Sequence, residues 1–190
     1  IKKVHSDVFD NVRGSGIVAI TLKKGDALRG VALVSPKDEV LLVTARGQAI
    51  RFRESDVRAM GRAASGVKAM RLKRDDRIIG VNVITTSGGD QKAELLVVMD
   101  RGFGKKTPLK EYKRQKRGGS GIKTAQLTSK NGAIVSTHLI GEENELIAIS
   151  QKGQVIRTAL KGVPTLGRAT QGVRVMRLDE GDRIASTTTL

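Results

Sequence analysis

The chain has 190 residues, 38% hydrophobic and 28% charged, with 35 Lys and Arg against 19 Asp and Glu and a formal net charge of +16. That length and composition exclude a disordered chain and allow a real core, and the absence of cysteine excludes disulfides and thiolate metal sites. The excess of positive charge calls for a polyanionic partner, because a basic surface steers association and displaces condensed counterions from nucleic acid.

No apolar run approaches the roughly 18 residues of a membrane span, and no signal peptide is read, so the expected partners include no membrane and the expected compartment is the cytoplasm. One Tyr, three Phe and no Trp argue against modules that stack single-stranded bases on aromatic rings.

In chain order the organising fact is a repeat. The sequence begins inside one copy: Ile1 aligns with Ile50 and Ser6-Asp7-Val8 with Ser55-Asp56-Val57, which leads us to expect a fragment of a longer protein. This partial copy, residues 1–38, contains the loop Arg13-Gly14-Ser15-Gly16-Ile17 and the turn Lys23-Lys24-Gly25-Asp26. The first complete copy, 39–93, opens with a strand at Val40–Thr44, a tight turn at Arg46-Gly47 and a returning strand at Ala49–Arg53. An Arg-, Gly- and Ala-rich loop follows over Ser55–Ser65. A third strand is expected at Val67–Leu72, a charged turn at Arg74–Arg77 and a fourth strand at Ile78–Ile84.

The opening strand Glu39-Val40-Leu41-Leu42-Val43 returns as Glu94-Leu95-Leu96-Val97-Val98 and as Glu145-Leu146-Ile147-Ala148-Ile149, setting further copies at 94–144 and 145–190. A glycine-bearing loop recurs as Gly61–Val67, Arg117–Ile122 and Gly167–Val173, each with a Leu six residues beyond its last Gly, at Leu72, Leu127 and Leu178. Four short strands in each copy of about fifty residues is the pattern of propeller blades, and no segment sustains a helical period. The fold expected is all-β and blade-based, with three complete four-stranded blades and one partial.

Residues 101–117 carry eight basic side chains and one acid, Glu111. Within and after this stretch, Lys105, Lys106, Lys110, Lys113 and Arg114 lead into Gln115-Lys116-Arg117-Gly118-Gly119-Ser120-Gly121. Glycines after a basic run let a backbone approach a phosphate and present its N–H groups, while Lys and Arg neutralise charge without reading bases. A solvated loop whose glycines serve only the turn is the alternative. Arg62, Arg117 and Arg168 share one place, four residues before the closing Gly of each loop, with Arg13 offset by one; they are read as DNA contacts at the blade edge. A carboxylate partner across the blade junction is the competing role.

The acids cluster elsewhere, at Asp75-Asp76, Glu142-Glu143 and Asp179-Glu180-Gly181-Asp182, where turn chemistry explains them. His5 and His138 have no spaced partner and are read as structural. Tyr112 is read as a loop residue. Neither a P-loop nor a nucleophile elbow with triad partners is present, so no catalysis is assigned to the chain.

The segment Gln115–Gly121 resembles the gyrase box, Q-R-R-G-G-K-G, of the DNA gyrase A C-terminal domain: Gln115, Arg117, Gly118, Gly119 and Gly121 match, with Lys116 for Arg and Ser120 for Lys. Arg51-Phe52-Arg53-Glu54-Ser55-Asp56-Val57-Arg58-Ala59-Met60-Gly61-Arg62 is also typical of that family's middle blades, and the resemblance extends over the whole chain. It implies a β-pinwheel, a propeller-like disc that wraps duplex DNA without sequence preference and supports ATP-driven negative supercoiling. The partners it implies are duplex DNA, the gyrase B subunit, plus the rest of the gyrase A subunit, in the cytoplasm with the nucleoid. ATP and Mg would be used elsewhere in that enzyme, with no cofactor here. In the family the full box lies on the first of six blades, whereas this copy lies on the second-last, so the chain is expected to span about the third to sixth blades. Two alternatives stand beside it: the geometry-selecting C-terminal domain of the topoisomerase IV A subunit, and a protein-binding propeller.

Overall fold

The computed structural model describes residues 1–12, 14–85 and 93–190. Its strands are β1 (Glu39–Thr44), β2 (Gln48–Arg53), β3 (Ile78–Ile84), β4 (Glu94–Met99), β5 (Phe103–Pro108), β6 (Ile122–Lys123), β7 (Ile134–Ile140), β8 (Glu145–Ser150), β9 (Val155–Ala159), β10 (Val173–Arg174) and β11 (Ile184–Thr189). The helical turns among the described residues are short 3₁₀ pieces of three or four residues. None of these is long and apolar enough to cross a membrane.

Three antiparallel sheets result, in the orders β3-β1-β2-β6, β10-β5-β4-β7 and β11-β8-β9. The hairpins form because a positive-φ glycine, Gly47, Gly102 or Gly153, closes a tight turn between two β-rich runs. The first and last strands of each copy shift register at one equivalent place, Val43/Thr44, Val98/Met99 and Ile184/Ser186, a bulge that repeats with the sequence.

The third strand of each copy departs from expectation. Val67–Leu72 forms no named strand, and its equivalents are the two-residue strands β6 and β10, which pair with β2 and β5 of the preceding copy. Each copy therefore keeps three strands and lends its insert to its neighbour. At the start of the chain the same exchange occurs between Val67 and Ile1, which hydrogen-bond to each other in both directions, the Val67 amide at 2.8 Å. Ile1 thus stands where Ala49 and Gly104 stand, not Ile50. Its successor Lys2 is the true equivalent of Ile50, Lys105 and Ile156.

Packing follows the strand period of two. Leu41 and Val43 pack with Leu95, Val97 and Met99, while Leu96 and Val98 face Leu146, Ala148 and Leu160. Val40 and Leu42 pack with Ile50, Phe52 and Met70 of their own copy, with Ile1 of the partial copy against them. The cores thus lie between blades, and β1 and β4 read as continuous apolar runs because both of their faces are covered. The strands β3, β7 and β11 contact one another from sheet to sheet, which places them at the hub and the inserts β6 and β10 at the outer edge. In the first copy, Val31 and Leu33 are 84% and 90% exposed.

Candidate nucleic-acid interface

The box loop is built against the blade before it. Gln115 donates its amide to Arg51 O (2.7 Å), Gly118 to Ala69 O (2.7 Å), and Arg71 donates to Gly119 O (2.8 Å). Gly118 (φ +86°) and Gly121 (φ +74°) occupy the left-handed region, and a Cβ on Gly121 would lie 2.5 Å from Ala49 O. Gly118 serves the turn through its positive φ, whereas Gly121 is needed for close approach, and what it approaches is another blade. The Gly118 N–H is engaged there.

The shared Arg follows the same logic. Arg117 Nε donates to Asp56 O (3.1 Å) and its Nη1 to Lys68 O. Arg168 Nη1 donates to Lys123 O (2.7 Å), and its amide to the Glu111 carboxylate (3.1 Å). The guanidinium partners across the junction are carbonyls of the preceding copy, where sequence reasoning offered a phosphate or a carboxylate. Arg62 is exposed, and Arg13 lies outside the described residues.

Two cations assigned to the site require correction. Lys105 is fully buried, its ammonium donating to Gly167 O (2.7 Å), Arg168 O (2.6 Å) and Thr170 Oγ1 (3.0 Å). Burial pushes its pKa down to about 8, with Glu111 opposing and Arg168 reinforcing the shift. Lys106 is mostly buried and pairs with Glu94 at 3.2 Å. Both sit on β5, where no residue is exposed, so a run of basic letters does not make a run of surface charges. Arg114 is half-exposed and bonded to Glu39 (2.6 Å). Lys110, Lys113, Lys116 and Ser120 are exposed, and Gln115, Gly118, Gly119 and Gly121 are partly covered.

Sequence reasoning missed a carboxylate-to-cation pair in each of the three complete copies: Glu39 with Arg51, Glu94 with Lys106 and Glu145 with Arg157. The signal is present, a Glu opening the first strand and a base twelve residues on, which the hairpin register brings side by side. The hydrogen bond from Arg157 to Glu145 holds the guanidinium above its ordinary pKa. The acids of the turns behave as expected. Asp76 accepts the amides of Arg46 (3.0 Å) and Arg77 (2.9 Å), and Asp182 those of Lys152 (3.1 Å) and Arg183 (2.8 Å). The Ser150 hydroxyl, followed by these amides, keeps Asp182 below its usual carboxylate range.

His138 bonds Thr187 Oγ1 at 2.7 Å, and burial lowers its pKa against the opposing charge of Glu143. Tyr112 follows a 3₁₀ turn as a loop residue, but its side chain is core. Its hydroxyl meets Thr124 Oγ1 at 2.5 Å, and burial raises its pKa to about 12.

The chain matches the family described as DNA gyrase C-terminal domain, beta-propeller, over residues 1–35, 38–85, 93–140 and 144–189. The DNA gyrase A subunit of Mycolicibacterium smegmatis is 45% identical over 186 residues, which cover 97% of this chain and 22% of that protein. Its Deinococcus deserti counterpart is 39% identical over 186 residues, covering 98% and 23%. A solved DNA gyrase A C-terminal domain superposes with a TM-score of 0.82 at 26% identity, covering 92% of this chain and 58% of that one. The C-terminal domain of a DNA topoisomerase IV gives a TM-score of 0.87 at 26% identity, covering 96% and 56%. This chain therefore spans about a fifth of the length of the gyrase A proteins it matches. With its strand-exchanging blades, its box-like loop and a family match along nearly its whole length, the chain belongs to the family of DNA gyrase A C-terminal domains.

Proposed function

We propose that this chain binds duplex DNA without sequence preference and bends it around the outer edge of its blades, as the wrapping domain of a gyrase A subunit. In that role it serves ATP-dependent negative supercoiling by the whole enzyme, in the cytoplasm with the nucleoid. Its partners there are the B subunit, together with the remainder of the A subunit, to which nucleotide chemistry belongs. The observation that carries the reading is the division of charge. Glu39, Glu94, Glu145, Asp76 and Asp182 are engaged in strand-register pairs and turn caps, while Arg62, Lys110, Lys113 and Lys116 are exposed. Such a surface neutralises phosphates and carries no pattern for reading base edges.

The test is a titration of two duplexes of unrelated sequence between about 50 and 200 mM salt. Similar affinities are expected, falling with a log–log slope of about −0.9 per phosphate neutralised. A flat salt response, or tight binding of one sequence alone, overturns the proposal. The likeness to the topoisomerase IV domain supports one second reading, selection of duplex geometry without wrapping, which binding without bending would favour.

A further inference from the structure

Among the described residues, one basic side chain recurs in each of the three complete copies at a place the box does not include, where the partial copy has Val18. Two residues beyond the positive-φ glycines Gly66, Gly121 and Gly172 stand Lys68, Lys123 and Arg174, all exposed. Lys123 and Arg174 lie on β6 and β10, the outermost strands of their sheets. None of the three is in an ion pair; Arg174 lies over the Phe103 ring at 5.6 Å. The insert alternates, so the next residue inward, Ala69, Thr124 or Val175, turns toward the protein and the cation turns away.

The loop arginines bear on these same residues. Arg117 holds the carbonyl of Lys68 and Arg168 that of Lys123, each reaching back one blade. A guanidinium that fixes the main chain of a cation-bearing segment also fixes where its side chain leaves the backbone, since the insert is only two residues of regular strand.

We propose that Lys68, Lys123 and Arg174 form a ladder of phosphate-contacting cations along the outer edge, one per complete copy, and that Arg117 and Arg168 are positioning residues for its first two rungs. This rests on the duplex-binding reading above. The hairpin-turn cations Arg46, Arg101 and Lys152 have the same periodicity and charge, yet lie beside acids: Asp76 and Asp182 cap the turn amides, and Asp100 pairs with Arg183. They are the natural control.

The experiment measures duplex affinity against salt for the wild-type chain, for K68A/K123A/R174A and for R46A/R101A/K152A, with melting curves for each. The ladder variant is expected to lose about three units of salt slope, at roughly 0.9 per cation, with its melting unchanged, and the control to lose less. No binding by the wild-type chain overturns the duplex-binding reading itself. Normal wild-type binding with an unchanged slope in the ladder variant, or an equal loss in the control, overturns the ladder alone.

Positioning is tested by pairing R168A with K123A and, separately, with K68A. Arg168 acts through Lys123, so R168A should weaken binding in the wild-type and K68A backgrounds and have no further effect once Lys123 is Ala. R168K, which can still donate to the Lys123 carbonyl, should restore binding. A loss from R168A that is the same in all backgrounds overturns the positioning role, and if R168A does not fold, R168K and the exposed-residue variants still decide the ladder.

Discussion

The junction between the first and second sheets and that between the second and third share one backbone register but differ in chemistry. At the first, Glu39 is nearly enclosed, with Arg51 and Arg114 both on its carboxylate, and Ile50 packs in the core. At the second, Lys106 takes the place of Arg51, Thr165 that of Arg114, donating to Glu94 at 2.6 Å, and Lys105 that of Ile50. Glu94 and Lys106 of this junction also line an open cavity of about 470 Å³ that reaches Glu145 and Lys161. The register is set by the glycines and main-chain hydrogen bonds common to both junctions, and the side chains then tune how firmly each is closed. Lys2 and Lys105 show the tuning directly, since each holds the carbonyl of its loop arginine, Arg62 or Arg168, where the alternate copies have isoleucine.

The largest effect should come from breaking what the junctions share. Gly102 (φ +80°) and Gly153 (φ +87°) close equivalent turns, but a Cβ on Gly102 would strike the Met176 carbonyl whereas Gly153 faces open space. Gly153→Ala is expected to cost about 1–2 kcal/mol, the price of a left-handed residue, and Gly102→Ala clearly more, because the insert must also move. Urea unfolding of both variants checks this, and equal costs would mean that the inserts contribute little to stability.

The ion pairs come next. Glu39, Glu94 and Glu145 have side chains 3%, 19% and 32% exposed, and breaking a buried pair costs far more than breaking an exposed one. Glu39→Gln should destabilise by about 3 kcal/mol and Glu145→Gln by less than about 1 kcal/mol, with Glu94→Gln between them. A reversed order in denaturant midpoints would show that burial is not what grades the junctions.

Lys105 gives an effect that shows only as pH is raised. Its folded pKa of about 8 lies below the roughly 10.4 of an unfolded lysine, so between those values the unfolded chain binds more protons. Stability contributed at this position therefore rises with pH across that window. Relative to Lys105→Ile, the wild-type chain should gain melting temperature from pH 7 to pH 9.5, and curves that move in parallel would refute it.

The hairpins were legible because Glu39–Val43 and its copies carry strand pattern and turn glycine in fixed order. The destination of the inserts was not, since a segment such as Gly121-Ile122-Lys123 pairs with a strand some seventy residues earlier and nothing local names that partner. The same blindness put Lys105 and Lys106 at the surface. Basic letters on β5 look like the basic letters after it, and only the strand's position under the following loop separates them. Lys105 did leave a trace, as a lysine in a column that also holds Ile50 and Ile156.

Wrapping is the central claim, and its most direct measurement is closure of a singly nicked circular duplex by ligase with increasing amounts of this chain bound, followed by removal of protein and resolution of topoisomers. A chain that wraps duplex around its edge with one hand should shift the mean linking number of the closed circles in proportion to the amount bound. An unchanged distribution at saturating occupancy would contradict the account.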